Sequence, residues 1–151
     1  MKLEEIYIHL FDRGYMSGIE RESTRVRETA ECFTPTWLVE QRLDTIDSSE
    51  FTNSIKTFLD PSCGDGQFLA SVLYRKLQND IDFETALSTI YGVDLMADNV
   101  EETRTRLLCG REDLRHIVER NIICHDGLSY AYEFNGTNKN NDELRFDTLF
   151  D

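Results

Sequence analysis

Residues 59–69 read Leu-Asp-Pro-Ser-Cys-Gly-Asp-Gly-Gln-Phe-Leu. The approach to this run, Ile55, Thr57, Phe58 and Leu59, is apolar or β-branched and predicts a strand over 55–60 that ends in an acid, Asp60. Two glycines follow, and residues 68–79 then carry apolar positions at helical spacing. Strand, acid, glycine turn and helix start is an arrangement by which α/β proteins seat nucleotide-type ligands. Gly64 and Gly66 permit positive φ and let a ligand approach the backbone closely. An acid at the strand end disfavours a phosphate and favours a ligand that carries a cation or hydrogen-bond donors.

The pattern repeats downstream. Residues 89–94 predict a second strand ending in Asp94, and 121–126 a third ending in Asp126. Between them, 82–88 predicts a short helical piece, 96–108 a helix with Arg104 and Arg106 on its solvated side, and 113–118 one further turn. Strands alternating with helices predict a mostly parallel, three-layer α/β sheet whose ligands bind at the carboxyl ends of the strands. Asp60, Asp94 and Asp126 all fall at that end. A fourth strand is expected over 146–150, after a polar loop at 135–143; residues 130–134 are ambiguous.

Upstream, residues 3–12 suggest a short helix, and the strongly charged stretch 19–31 an exposed helix or loop. Thr34 is suited to cap a helix and Pro35 to its first position. The helix they open is expected to run about three turns on Trp37, Leu38, Val39, Leu43 and Ile46, with Trp37 in the core. Residues 1–30 are read as an N-terminal helical segment and 31–151 as the ligand-binding α/β domain.

With 151 residues, one domain is the default, and 40% apolar residues suffice for a core. The net charge of −13 opposes non-specific binding to DNA or anionic membrane. Arginines 21, 25 and 27 are diluted by Glu20, Glu22 and Glu28 and read as a solvated face. Cys32, Cys63, Cys109 and Cys124 lack metal-ligand spacing, so no metal site is expected, and free thiols in apolar or turn contexts suit a reducing, cytoplasmic setting. His9, His116 and His125 are read as structural or solvated. No signal-peptide pattern and no membrane-spanning run is found.

Among ligands with a cation and donors, S-adenosylmethionine meets the demand of the Asp60 loop through its ammonium and sulfonium. Four stretches extend that reading. Glu31-Cys32-Phe33-Thr34-Pro35, Asp60-Pro61-Ser62-Cys63-Gly64-Asp65-Gly66-Gln67-Phe68-Leu69, Tyr91-Gly92-Val93-Asp94-Leu95 and His125-Asp126-Gly127-Leu128 stand in the order and at the spacing of a known set. With them, residues 30–130 resemble the cofactor-binding part of the N6-adenine-specific DNA methyltransferases of the class I, Rossmann-like superfamily. The resemblance implies roles. Thr34 and the backbone near it hold the methionine end of the cofactor, and Asp60, with Ser62 in its loop, lies near the amino group. Phe33 either lies near the cofactor or packs in the core. Gly64 and Gly66 allow close backbone approach. Asp94 accepts from the ribose hydroxyls, Leu95 packs on the adenine face, Asp126 accepts from the adenine amine, and the Gly127 N–H reaches a ring nitrogen. Each acid also has a purely structural reading, Asp60 and Asp126 as turn caps and Asp94 as a cap of the following helix.

The family's catalytic Asn/Asp/Ser-Pro-Pro-Tyr/Phe motif has no counterpart, since the only prolines are Pro35 and Pro61. No catalytic residue is therefore assigned. The resemblance implies a sheet truncated after about its fourth strand. Cofactor binding is expected, with catalysis only when a second methyltransferase chain supplies the missing motif, and DNA contacted only in that complete enzyme. An open fourth-strand edge implies pairing with that chain or self-association. The alternative is a catalytically inactive methyltransferase-like protein acting as a regulatory or interaction module.

Overall fold

The computed structural model of the chain describes residues 1–13 and 34–134. Its elements are α1 (Leu3–Phe11), α2 (Thr36–Leu43), α3 (Ser49–Thr52), β1 (Phe58–Asp60), α4 (Gln67–Gln78), α5 (Phe83–Ser88), β2 (Ile90–Asp94), α6 (Ala97–Leu108), a 3-10 turn at Glu112–Leu114, α7 (Arg115–Asn121) and β3 (Ile122–Cys124). The fold is mixed α/β. The three strands form one parallel sheet in the order β1-β2-β3, with Asp60 opposite Gly92 and Asp94 opposite Cys124.

Parallel neighbours require crossovers, and α4 and α6 supply them. These two helices touch one another and both lie on β2, so they share one face of the sheet. Leu69 and Leu73 of α4, Ile90 of β2 and Leu107 and Leu108 of α6 are fully buried between the layers. α1 and α2 pack on α4, and α1 also reaches α6, burying Ile6 and Leu10 in the same core. Gly92 makes the close packing of α4 on β2 possible: a Cβ there would lie 2.7 Å from Leu69 Cδ1 and 3.1 Å from Cys63 Sγ. Tyr91, its neighbour, points to the opposite face. There the ring of Phe134 lies 4.7 Å away, and Tyr130 packs on Phe134 at 5.3 Å. Of the three layers expected, the described residues supply the sheet and one helical layer. On the second face the described residues place this aromatic segment, 130–134.

Among the described residues the elements follow the sequence reading except for α3, a single turn that it did not foresee, with corrections at the ends. The first strand is shorter than 55–60, because the Asn53 side chain accepts from the Ile55 N–H and its carbonyl from the Lys56 N–H, making a turn there. The turn expected at 113–118 extends to Asn121 as a 3-10 turn followed by α7. Pro35 is the cap residue of α2 and Thr34 lies outside it, with no side-chain cap, so the reading of Thr34 as cap and Pro35 as first helical residue does not hold. Trp37 is 67% exposed. α2 buries Val39 and Leu43, one turn apart, which turns the position two residues before Val39 away from the core. Arg106, expected in solvent, is completely buried, and Cys124 is an exposed thiol at the end of β3. Residues 19–31, the loop 135–143 and the strand expected at 146–150 lie outside the described residues. Among the described residues no helix is long and apolar enough to cross a membrane.

Candidate functional site

The carboxyl ends of β1, β2 and β3 lie side by side, so the loops beyond them meet. The loop after β1 is folded by its own backbone and by α6. The Cys63 N–H donates to the Val93 carbonyl at 2.9 Å, and the Gly66 N–H to the Cys63 carbonyl at 2.9 Å. Gly64 and Gly66 both take positive φ, 55° and 96°, and Gly66 caps α4 in the left-handed conformation. Thr103 Oγ1 donates to the Gly64 carbonyl at 2.9 Å and its methyl carbon would sit 3.1 Å from a Cβ on Gly66. No side chain caps α4 at this end. Its first N–H groups stand behind the loop with the positive end of the helix dipole.

Asp60 and Asp94 flank the loop. Asp60 Oδ1 accepts from the Ser62 N–H at 3.1 Å, which is the turn-cap role. Burial raises the Asp60 carboxyl above its ordinary value, the Ser62 hydrogen bond opposes this, and the charge of Asp94 adds to the rise. Asp94 Oδ1 accepts from the Gly64 N–H at 3.0 Å, and Oδ2 from the Met96 N–H at 3.0 Å and Asn99 Nδ2 at 3.1 Å. It thus ties β2 to the glycine loop and also caps the turn into α6. A carboxylate offers about four lone-pair positions, so these bonds do not exhaust it. The thiol of Cys63, beneath the loop, is pushed well up by burial and by Asp60 and Asp94, and stays protonated. A pair of carboxylates over a neutral thiol makes a locally negative site that favours a cationic ligand or one rich in donors.

Thr34 is brought to this loop by a bond from Gln67 Nε2 to its carbonyl at 2.7 Å, which joins two stretches thirty-three residues apart. Phe33 lies outside the described residues. Beyond β2, Leu95 is 60% exposed, and beyond β3, Leu128 is 98% exposed, so apolar side chains stand on the rim beside the acids. Asp126 caps its own turn, Oδ1 accepting from the Leu128 N–H at 3.0 Å. Gly127 packs so closely on Pro61 that a Cβ would overlap the Pro61 carbonyl oxygen, which locks the third loop against the first.

The structure therefore gathers Thr34, Asp60, Ser62, Gly64, Gly66, Asp94, Leu95, Asp126 and Gly127 at one edge of the sheet. Sequence reasoning missed the residues that hold them. Gln67 carries Thr34, and Arg106 carries Gln67: its Nη2 donates to Gln67 Oε1 at 2.9 Å, its Nη1 to the Asp65 carbonyl at 3.2 Å and its Nε to the Leu10 carbonyl at 2.6 Å. The signal was present. Asn99, Thr103 and Arg106 recur at helical spacing beside the apolar Val100 and Leu107, so they share the buried face of α6. No protein-family model matches the chain, and neither the curated proteins nor the solved structures yield a match.

Proposed function

We propose that this edge binds S-adenosylmethionine, as the cofactor-binding portion of a Rossmann-like, class I N6-adenine DNA methyltransferase. The observation that carries the reading is the convergence of the Thr34 backbone, the Gly64–Gly66 turn and the Asp60–Asp94 pair at the carboxyl ends of β1 and β2. The chemistry of these groups fits the cofactor. Its ammonium and sulfonium charges suit a site where burial and a second acid raise a carboxyl, its ribose hydroxyls suit Asp94, and its adenine suits the rim leucines. Bound there, the cofactor would supply an electrophilic methyl group. These 151 residues contain no Pro-Pro step, so acceptance of the methyl group is assigned to none of them. A second chain carrying the catalytic motif, and DNA as its substrate, belong to the same proposal.

The test is calorimetric titration of the full chain with S-adenosylmethionine. Saturable binding is expected, weakened on the order of tenfold in Leu95→Ser, where a side chain that is 60% exposed loses its apolar contact with the ligand. Asp60→Asn removes the charge while keeping an acceptor for the Ser62 N–H, and is expected to weaken binding at least as much. Absence of heat at millimolar ligand, or variants that bind as the parent does, would sink the reading.

A further inference from the structure

The face of α4 turned away from the sheet carries another pocket. Ser71, Tyr74 and Arg75 recur there at helical spacing, opposite Leu69, Leu73 and Leu77 in the core. α1, α2 and α3 wall it with Tyr7, Glu40 and Phe51, and its volume is about 520 Å³. Small-molecule sites fall in the range of ~300–1,000 Å³. The pocket shares no residue with the strand-end site and stands independently of the reading of that site.

One wall is an aromatic cluster whose rings fix one another. Tyr7 lies 4.9 Å from Phe11 and 5.5 Å from Tyr74, and Phe11 meets Tyr74 edge-on at 5.6 Å. Tyr7 is nonetheless 52% exposed, so a flat ring is held in place with surface to spare. A ring ordered beforehand serves as a stacking platform, because the ligand does not have to order it.

Another wall is Arg75. Its guanidinium lies 5.3 Å over the Phe51 ring, and Phe51 stacks on Phe58 at 5.3 Å. Nη2 donates to the Glu40 carbonyl at 3.3 Å, to Glu40 Oε2 at 2.7 Å and to Asp44 Oδ1 at 2.9 Å. Glu40 Oε1 accepts from the Ser71 hydroxyl at 2.6 Å. Nε and Nη1 bond to nothing among the described residues, so a pinned, flat cation keeps donors for a further acceptor. Two carboxylates answer this one guanidinium, and the whole chain carries −13. A phosphate or carboxylate would meet that surplus of negative charge. A cation would meet Arg75, and both Glu40 oxygens are already engaged. The chemistry left is neutral, flat and rich in acceptors.

We infer that this pocket binds an uncharged nucleobase or nucleoside, stacked on Tyr7 with an acceptor on Arg75. Guanosine is the probe of choice, since guanine presents O6 and N7 side by side as acceptors. The test is titration of the full chain with guanosine, followed residue by residue in proton–nitrogen correlation spectra. Saturable shifts are expected at the Arg75 Nε–H and at the Tyr7 and Tyr74 amides, with Gly64 and Leu95 unmoved. The result is thereby read apart from that of the strand-end site. Tyr7→Ala should weaken binding on the order of tenfold, and Tyr7→Phe should leave it unchanged, because a phenyl ring also stacks. Guanosine monophosphate should bind several-fold more weakly than guanosine, against the surplus of carboxylates. Should Tyr7→Ala not fold, nuclear Overhauser contacts between guanine and the Tyr7 ring in the parent decide the matter. No saturable shift at millimolar guanosine, shifts gathered at Gly64 and Leu95, or parental affinity in Tyr7→Ala would each overturn the inference. So would tighter binding of the monophosphate, which would assign the pocket to anions.

Discussion

Lys76 is a buried lysine whose chemistry the fold has altered. Its side chain is fully buried near the end of α4, where Nζ donates to the Lys56 carbonyl at 2.5 Å and to Thr89 Oγ1 at 2.7 Å, and lies 5.2 Å over the Phe58 ring. Thr89 Oγ1 in turn donates to the Ala86 carbonyl at 2.8 Å. A neutral amine has two N–H groups for two acceptors, and no carboxylate among the described residues bonds to Nζ. Burial lowers its pKa from 10.5 to about 8. The folded state thus resists the charge that the unfolded chain carries until pH ~10.5. Below pH 8 the cost is fully present, and it is relieved as pH rises from 8 to 10.5, so this group raises stability through that window by up to ~3 kcal/mol. Urea denaturation at pH 7.5 and pH 10 should show the rise in the parent relative to Lys76→Met. Other titrating groups are common to both proteins and cancel. Asp60 runs the opposite way. Its raised carboxyl costs stability above its folded pKa, and the cost fades as pH falls toward the unfolded value. Asp60→Asn should therefore stabilise the ligand-free protein at pH 7 by about 0.5–2 kcal/mol, with the gain vanishing near pH 3, while weakening binding. A melting curve at each pH reads this trade directly.

At the scale of elements, the glycine loop works because three elements close on it. β2 contributes the Asp94 carboxylate, α6 contributes Thr103, and α4 packs Leu69 against the bare Cα of Gly92. Gly92→Ala would force Leu69 or Cys63 to move, neither of them at the end of a long flexible side chain. We expect a loss of about 1–3 kcal/mol in chemical denaturation, from overpacking at a helix–sheet contact. Affinity for the proposed cofactor should fall too, since displacing α4 shifts its amino end and the turn beneath Thr34. The same closeness recurs between Gly127 and Pro61, which makes the Asp126 turn a part of the site and not only a tail of β3.

At the scale of the molecule, α1 is tied to the candidate site through Arg106. One buried guanidinium bonds the end of α1, the glycine loop and the first residue of α4, and lies 3.9 Å from the Asp65 carboxylate, itself fully buried. Removing it takes this cation away from that carboxylate. Arg106→Met should cost about 3 kcal/mol or more in urea unfolding, and part of that should return when Asp65→Asn is added. The described part of the stretch read as an N-terminal segment, α1, thus shares its core with the sheet. Much was legible without coordinates. Strand-end acids, the glycine turn and the alternation of strand and helix are local patterns, written in the spacing of neighbouring residues, and they determined the α/β class, the parallel crossovers and the edge where the candidate residues gather. Which polar side chains are buried was not legible in that way. Arg106 looks solvated beside Arg104 and is buried, Trp37 looks like core and is exposed, and Thr34 looks like a cap and is instead held by Gln67. Each of these depends on what arrives from a distant part of the chain. Local spacing sets which face a residue shares, and only tertiary packing decides whether that face meets water, a carbonyl or another helix.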